Sequence, residues 1–440
     1  MSKLAKAEYV SEAQAGFTHR TAMEEAARCL LCHDAPCSAG CPAGTDPGRF
    51  IRSIRFRNAK GAAETIRENN ILGGSCARIC PYDKLCEEAC SRTGIDRPIE
   101  IGKLQRYAME QERIFKLQTL KAPELKKAAR IACVGAGPAS LACAAALATA
   151  GYRVTIFEAQ EKAGGMLAYG VPPARLPREA LEQDINAVRG LGVEFVFNTK
   201  VGGDIGVDEL KTKGFAAVFI GAGLWSAKLP DVEGVALDGV WPAIDFLKKA
   251  ASTGGDTGLA GKSVVVIGGG DVAMDCAVTA KLTGAESVAL YYRRTLEEAP
   301  ANADELRYAF SLGIPIMTNF APARLVGSGG KLTAVEFKGR DGKSSASVAA
   351  DVVVFATGQA PEDMSGFAGL RLTEKGMIDA DSGGNTSVPG IFAAGDAVNG
   401  GKTVVEAVAA GKAAAAEMIA WLERGAQSGA DSLQSAKEVR

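Results

Sequence analysis

The sequence predicts an α/β protein: a helical N-terminal domain followed by two Rossmann-like nucleotide-binding domains, the second inserted into the first. Three observations carry this expectation. Eight of the eleven cysteines fall between Cys29 and Cys90, in a stretch that reads as short helices broken by cysteine loops. Downstream, segments 128–159 and 261–294 repeat one order of strand, glycine turn, alanine-rich helix and strand. The 52 glycines against 17 prolines suit many tight turns between strands and helices.

At 440 residues the chain is about three times a typical domain of roughly 150 residues, so two or three separately cored domains are expected. The charged stretch LKAPELKKAAR marks a boundary near Leu120. We therefore expect a helical domain over 1–120, a first nucleotide domain from 121–230 and 361–440, and an inserted one over 231–360, the glutathione-reductase type of arrangement. Apolar residues make up 47% and charged residues 23%, near the globular average. A formal net charge of -1 supplies no general attraction for nucleic acid or an anionic membrane. The opening MSKLAKAEYVSEAQAGF lacks the apolar run of a secretory signal, and no stretch is apolar for the roughly 18 residues of a membrane span. A cytoplasmic location is expected.

In the first 120 residues, DPGRFIRSIRFRNAKGAAETIREN has helical periodicity, with Asp46 as N-cap and Pro47 at the first helical position. Its cysteines form two runs. Cys29, Cys32, Cys37 and Cys41 are followed by Pro42; Cys76 and Cys80 are followed by Pro81, then Cys86 and Cys90. Such density without an export signal points to ligation and away from disulfides. Short spacings let thiolates converge on one cluster, and a proline after a cysteine run recurs in ferredoxin-like sites. A zinc ribbon would need paired C-x2-C knuckles, and only Cys29 and Cys32 have that spacing. Two 4Fe–4S clusters are expected; spacing alone leaves their division among the eight thiols open. His33 abuts Cys32 and reads as a surface residue, whereas Cys133, Cys143 and Cys276 stand in apolar runs and read as buried.

The first glycine turn runs Gly135, Ala136, Gly137, Pro138, Ala139, Ser140, with serine where a third glycine is usual. Gly135 and Gly137 let the backbone approach a pyrophosphate at a helix N-terminus. Glu158 ends the next strand, 23 positions past Gly135, where an acid accepts from ribose hydroxyls. Further pieces point to FAD: Gly164-Gly165-Met166-Leu167, Thr357-Gly358 after the strand DVVVF, and Gly395-Asp396 after IFAA. Asp396 would accept from the ribityl or pyrophosphate side, and Lys402 and Thr403 open a helix whose amides would face the flavin ring.

The second turn, Gly268-Gly269-Gly270-Asp271-Val272, heads another helix and should hold a nicotinamide nucleotide. The next strand ends in Arg293 and Arg294 and lacks the acid of NAD sites, which favours NADPH over NADH. Glu297 and Glu298 lie nearby, and a solvated charge run is the bland alternative.

With these motifs in view, the chain resembles the FAD-containing subunits of bacterial dihydropyrimidine dehydrogenases, from EEAARCLLCHDAPC through NILGGSCARICPYDKLCEEAC to GKTVVEAVAAGKAAA. CLLCHDAPC, FIRSIRFRNAKGAAETIRENN and IEIGKLQR are its most specific stretches. The small subunit of NADPH glutamate synthase and the large subunit of a ferredoxin:NADP oxidoreductase look similar at lower resolution. The resemblance implies that Cys29, Cys32, Cys37 and Cys90 bind one cluster, while Cys41, Cys80, Cys86 and Gln105 bind the other, with Cys76 left over. Glutamate synthase relatives carry Glu in place of Gln105, so the glutamine favours the dihydropyrimidine branch; Arg293 and Arg294 depart from the pattern of NADH-using members. It further implies hydride transfer from NAD(P)H to FAD, then single electrons to a hetero-oligomeric partner that carries FMN and iron–sulfur clusters and binds the pyrimidine. Neither step needs a protein acid or base, and no side chain is singled out as catalytic. A flavin-dependent disulfide reductase would need a C-x-x-C beside the flavin, and here Cys29 and Cys32 fall in the ligand set; a non-catalytic electron-transfer module is the other rival.

Overall fold

The computed structural model describes residues 9–123, 127–367 and 369–438. Contacts divide the chain into two compact units: Gly16–Gly165, Glu179–Leu224 and Pro361–Arg440 form one, and Met1–Ala15, Met166–Arg178 and Trp225–Ala360 the other.

The first unit opens with the helices His19–Ala27, Pro47–Arg55, Ala59–Asn69, Gly73–Ile79 and Ile101–Ile114. The first three start where a side-chain oxygen can take an orphan amide: Thr18 accepts from Thr21 N, Asp46 from Arg49 N and Asn58 from Gly61 N. Their apolar faces meet in a core of Phe50, Ile51, Ile54, Ala62, Ile66, Leu104 and Ala108, against which Cys29, Cys37, Cys86 and Cys90 pack.

The same unit holds a five-stranded parallel sheet in the order Ile391–Ala393, Phe215–Ile220, Arg130–Val134, Arg153–Phe157, Glu194–Val196. The nearly continuous apolar run of Arg130–Val134 suits a strand covered on both faces. Ile391–Ala393 brings the chain back to the sheet edge after the insertion. Helix Val404–Glu438 then packs on helix Pro138–Thr149, so closely that a Cβ at Gly411 would fall 2.1 Å from Ala139 O. Lys412 Nζ donates to Ala43 O (2.7 Å) and Asn69 O (2.6 Å), tying this helix to the cysteine region.

The second unit has its own five-stranded parallel sheet, ordered Val240–Pro242, Val352–Phe355, Ser263–Ile267, Ser287–Tyr292, Ile316–Thr318, beside an antiparallel sheet of Phe320–Ser328, Lys331–Gly339 and Ser345–Ala349. Tyr9 and Ala174 lie in its core. Arg175 anchors segment 166–178 there through ion pairs to Asp275 (2.6 Å) and Glu305 (2.7 Å), all three side chains nearly buried. Among the described residues no helix is long and apolar enough to cross a membrane.

Candidate functional site

The first glycine turn sits between strand Arg130–Val134 and helix Pro138–Thr149. Gly135 has φ +82°, and a Cβ there would stand 2.8 Å from Gly221 O, so the fold itself requires this glycine. Gly137 differs. Its φ of -80° suits any residue, and the nearest atom to a Cβ at that position is Gly221 O at 4.0 Å. The space a side chain would fill lies open at a helix N-terminus, the cradle a pyrophosphate needs. Pro138 takes the first helical position, where its missing N–H costs nothing.

Neighbouring pieces converge on this turn. Gly164 N donates to Ala136 O (2.8 Å), and Gly165, at φ +56°, packs so that a Cβ would lie 2.9 Å from Gly137 Cα. Glu158 is buried; its Oε2 accepts from Ala136 N (2.6 Å) and its Oε1 from Gln160 N (2.8 Å). Gly395, at φ +77°, lies against the helix start, where a Cβ would meet that of Ala139 at 2.8 Å. Ser140 is fully buried and donates its hydroxyl to Val134 O (3.1 Å), so it locks the turn to its strand.

Asp396 follows Gly395 and accepts from Lys402 N (3.2 Å); burial pushes its carboxyl above the ordinary value. Thr403 and Glu406 form a reciprocal cap on the last helix, with Thr403 Oγ1 donating to Glu406 Oε2 (2.7 Å) and accepting from Glu406 N (3.3 Å). Lys402 pairs with Glu406 at 3.4 Å. Lys402, Thr403 and Glu406 thus hold one another.

Met166 and Leu167 belong to the second unit, as do Thr357 and Gly358, whereas Gly165 stays with the first. Thr357 Oγ1 donates to Lys228 O (2.7 Å). In the second turn a Cβ at Gly268 would lie 2.5 Å from Ala356 O, and one at Gly269 would strike the Tyr292 ring at 2.4 Å. Gly270 caps helix Asp271–Leu282, with Val272 half-buried in its first turn. Asp271 is committed to Asn302, accepting from its backbone N and from Nδ2, each at 2.7 Å. Arg293 and Arg294 are exposed at the strand end. Glu298 pairs with Arg340 (2.6 Å) and accepts from Thr295 N, a structural use of one charge in that run.

The cysteines gather in two groups. Cys29, Cys32, Cys37 and Cys90 line one cavity with Gly48, Ile51, Ile99 and Ile101. Burial, then the neighbouring Cys90 and Cys29 thiols, push Cys37 up to about 11. The second group surrounds Cys80, whose thiol is hydrogen-bonded with that of Cys76 and feels Cys86 and Cys41; that hydrogen bond and burial push its pKa well up. Thiols raised in this way resist ionising beside one another, and a cationic iron–sulfur core reverses the balance by binding thiolates. Both donor sets suit such a core. Gln105 is buried and its Nε2 donates to Gly73 O (2.8 Å), so its carboxamide oxygen is the atom that could serve as a ligand. Among the described residues no three His, Cys, Asp or Glu side chains converge on a single-ion site; a cubane spreads its ligands wider than one ion does. His33 is exposed and contacts Asp34, while Cys133, Cys143 and Cys276 are buried.

Sequence reasoning missed Arg67, within the cysteine region, and Asp184 and Lys412, which hold that region from elsewhere in the chain. The one local signal was the run Gly73-Gly74-Ser75 before Cys76, glycines that mark close approach of another group.

Comparison with known proteins identifies the family and the fold. Residues 6–116 match the family described as dihydropyrimidine dehydrogenase domain II, 4Fe–4S cluster, and residues 118–411 the pyridine nucleotide-disulphide oxidoreductases. The chain is 43% identical over 416 residues, 94% of its length and 98% of the relative's, to the NAD-dependent dihydropyrimidine dehydrogenase subunit PreT homolog of Salmonella typhi. It is 33% identical to the small chain of NADPH glutamate synthase of Escherichia coli, over 96% of this chain and 95% of that one. Among solved structures, the Mycobacterium tuberculosis oxidoreductase FprA superimposes with a TM-score of 0.60 at 19% identity, over 69% of this chain and 86% of that one, which speaks to the fold.

Proposed function

The chain belongs to the pyridine nucleotide-disulphide oxidoreductases, within the PreT-type subunits that carry a 4Fe–4S domain, and from that premise we propose that it is the electron-input subunit of a dihydropyrimidine dehydrogenase. In this reading it takes hydride from NAD(P)H onto FAD and passes single electrons through two 4Fe–4S clusters. The acceptor is a hetero-oligomeric partner, an FMN- and iron–sulfur-containing subunit that interconverts uracil or thymine and their 5,6-dihydro forms. The observation that carries it is the convergence of Gly135, Gly137, Gly165, Glu158 and Gly395 on one helix N-terminus, in the same compact unit as two groups of thiols.

When bound, FAD supplies a two-electron acceptor that can release electrons one at a time, and the clusters carry them singly. The chain's own residues bind and orient. Gly137 and the amides that follow Pro138 would receive the pyrophosphate, and Glu158 the ribose. Asp396 and the start of helix Val404–Glu438 would border the rest of the cofactor. Cys29, Cys32, Cys37 and Cys90 would hold one cluster; Cys41, Cys80, Cys86 and Gln105 would hold the other. In the second unit Gly268, Gly269 and Gly270 would receive the nicotinamide nucleotide, with Arg293 and Arg294 favouring NADPH, although the 43%-identical relative is named NAD-dependent. The working location is the cytoplasm, and the three-part division 1–120, 121–230 with 361–440, and 231–360 is the proposed functional organisation.

The purified chain should bleach its flavin absorbance on anaerobic addition of NADPH or NADH, and should leave uracil untouched until the FMN subunit is added. A chain loaded with FAD that neither nucleotide bleaches would sink this reading.

A further inference from the structure

The run Gly73-Gly74-Ser75 that precedes Cys76 is built around one buried carboxylate from more than a hundred residues away. Asp184, on helix Arg178–Gly190, accepts from Gly74 N (3.2 Å), Ser75 N (2.7 Å) and Ser75 Oγ (2.7 Å). Helix Gly73–Ile79 has no capping side chain of its own, so Asp184 caps it from another element. The glycines make this possible: a Cβ at Gly73 would lie 2.3 Å from Ile66 Cγ2, and one at Gly74 would lie 3.0 Å from Asp184 Oδ1.

Asp184 is itself neutralised. Arg67, fully buried, donates from Nη1 to Asp184 Oδ1 (2.6 Å) and to Ile71 O, and from Nη2 to Glu112 Oε2 (2.7 Å). Burial alone would depress the Arg67 pKa, but Asp184 and Glu112 outweigh it and raise it. Gln183, next to Asp184, donates to Met109 O (2.8 Å) and Glu112 Oε2 (2.6 Å). One turn of helix Arg178–Gly190 therefore grips two helices. Gly73–Ile79 carries Cys76 and ends at Cys80; Ile101–Ile114 carries Gln105, whose carboxamide bonds to Gly73 O in the capped turn.

We propose that Asp184, held by Arg67, is a positioning residue for the second iron–sulfur site: it fixes helix Gly73–Ile79 so that Cys80 and the Gln105 carboxamide keep one geometry, and its charge helps set that site's reduction potential. The inference rests on the assignment of Cys41, Cys80, Cys86 and Gln105 to one cluster. A buried group that orients ligands without touching the metal changes both binding and potential when altered. Asp184→Asn keeps the size, removes the charge, and turns an NH2 toward either Arg67 or the Gly74 and Ser75 amides, donor against donor.

The test uses the reconstituted holoprotein, with iron, sulfide and flavin content, EPR of the reduced clusters and their midpoint potentials as readouts. Asp184→Asn should either lose roughly half of about eight iron at unchanged flavin content, or keep them with one cluster's EPR signal altered and its potential raised. Ser75→Ala removes only the hydroxyl donor; it should keep all iron and alter the same signal to a smaller degree, and it decides the matter where Asp184→Asn yields no folded protein. Wild-type spectra and potentials in the folded Asp184→Asn protein, or in Ser75→Ala where that protein does not fold, overturn the proposal. About four iron in the wild-type chain would instead overturn the two-cluster reading on which it rests.

Discussion

Gly137 separates what the fold needs from what a cofactor needs. Its backbone, at φ -80° and ψ 177°, is open to any residue, and a methyl group there meets its nearest non-adjacent neighbour, Gly221 O, only at 4.0 Å. Gly137→Ala should lose a few tenths to about 1 kcal/mol as a poorer N-cap. It should regain about 0.4–1 kcal/mol from a less flexible unfolded chain, so apoprotein stability should stay within about 1 kcal/mol of wild type. Gly135→Ala is the control: a left-handed backbone costs roughly 1–2 kcal/mol, and a Cβ 2.8 Å from Gly221 O another 1–3. The methyl of Gly137→Ala would occupy the pyrophosphate's place, and overlap of about 1–3 kcal/mol weakens FAD roughly 10- to 100-fold. Urea unfolding with and without FAD reads both effects. At a free FAD concentration of about 100 times the wild-type Kd, wild type gains about 2.7 kcal/mol, and a 100-fold weaker variant would keep only about 0.4. Wild-type FAD affinity in Gly137→Ala would refute the pyrophosphate assignment, and an apoprotein loss above about 2 kcal/mol would refute the distinction between the two glycines.

The thiol groups predict about eight iron and eight sulfide per chain after anaerobic reconstitution, with Cys90→Ser losing one cluster and Cys76→Ser losing none; about four iron in wild type contradicts this. NADPH should show the higher kcat/KM, and replacing Arg293 and Arg294 with alanine should erase a preference of tenfold or more, as loss of charge-assisted bonds does; strong NADH preference in wild type would show that the two arginines were misread. In the second unit, burial outweighs the opposing Arg175 guanidinium and, with the nearby Asp271 carboxylate, pushes Asp275 up to about 6; burial, with Asp275 and Asp271, likewise pushes Glu305 up to about 7. Raised carboxyl pKa values mean that the folded state holds protons the unfolded state releases. Their contribution is full below about pH 4 and is lost as pH rises through 6–7, by at most about 3 kcal/mol for Asp275. Asp275→Asn should flatten that fall in urea midpoints between about pH 4 and 7, and an unchanged slope would exclude the group.

The α/β class and both glycine turns were legible because their determinants are local: a glycine, a strand end and a helix start within a dozen residues. Asp46 and Pro47 were legible for the same reason, since the capped amide is Arg49 N, three residues on. The roles of several site residues were not. Ser140 matches a fingerprint position, yet its hydroxyl serves Val134 O, and Asp271 is committed to Asn302, 31 positions away. Spacing alone left the grouping of eight thiols open and only the resemblance supplied one, because Cys90 joins Cys29, Cys32 and Cys37 across some fifty intervening residues of helices and loops. Segment 166–178 reads as continuous with Gly165, but the buried Arg175 fixes it in the second unit through partners 100 or more positions away.

Single-electron transfer is sharply sensitive to separation, so a relay gains from cofactor sites that share one body. The first unit has the ties this requires. Lys412 joins the last helix to the carbonyls of Ala43 and Asn69, and that helix packs on the first glycine-turn helix through Gly411. Arg67, Glu112, Gln183 and Asp184 clamp the cysteine helices to helix Arg178–Gly190. Arg67, Glu112 and Asp184 are buried and mutually satisfied, so breaking one leaves a desolvated charge, and the arrangement resists gradual loosening. The second glycine turn lies in the other unit. In the proposed relay, the first glycine turn and both groups of thiols would belong to one unit, the arrangement that sensitivity to separation favours.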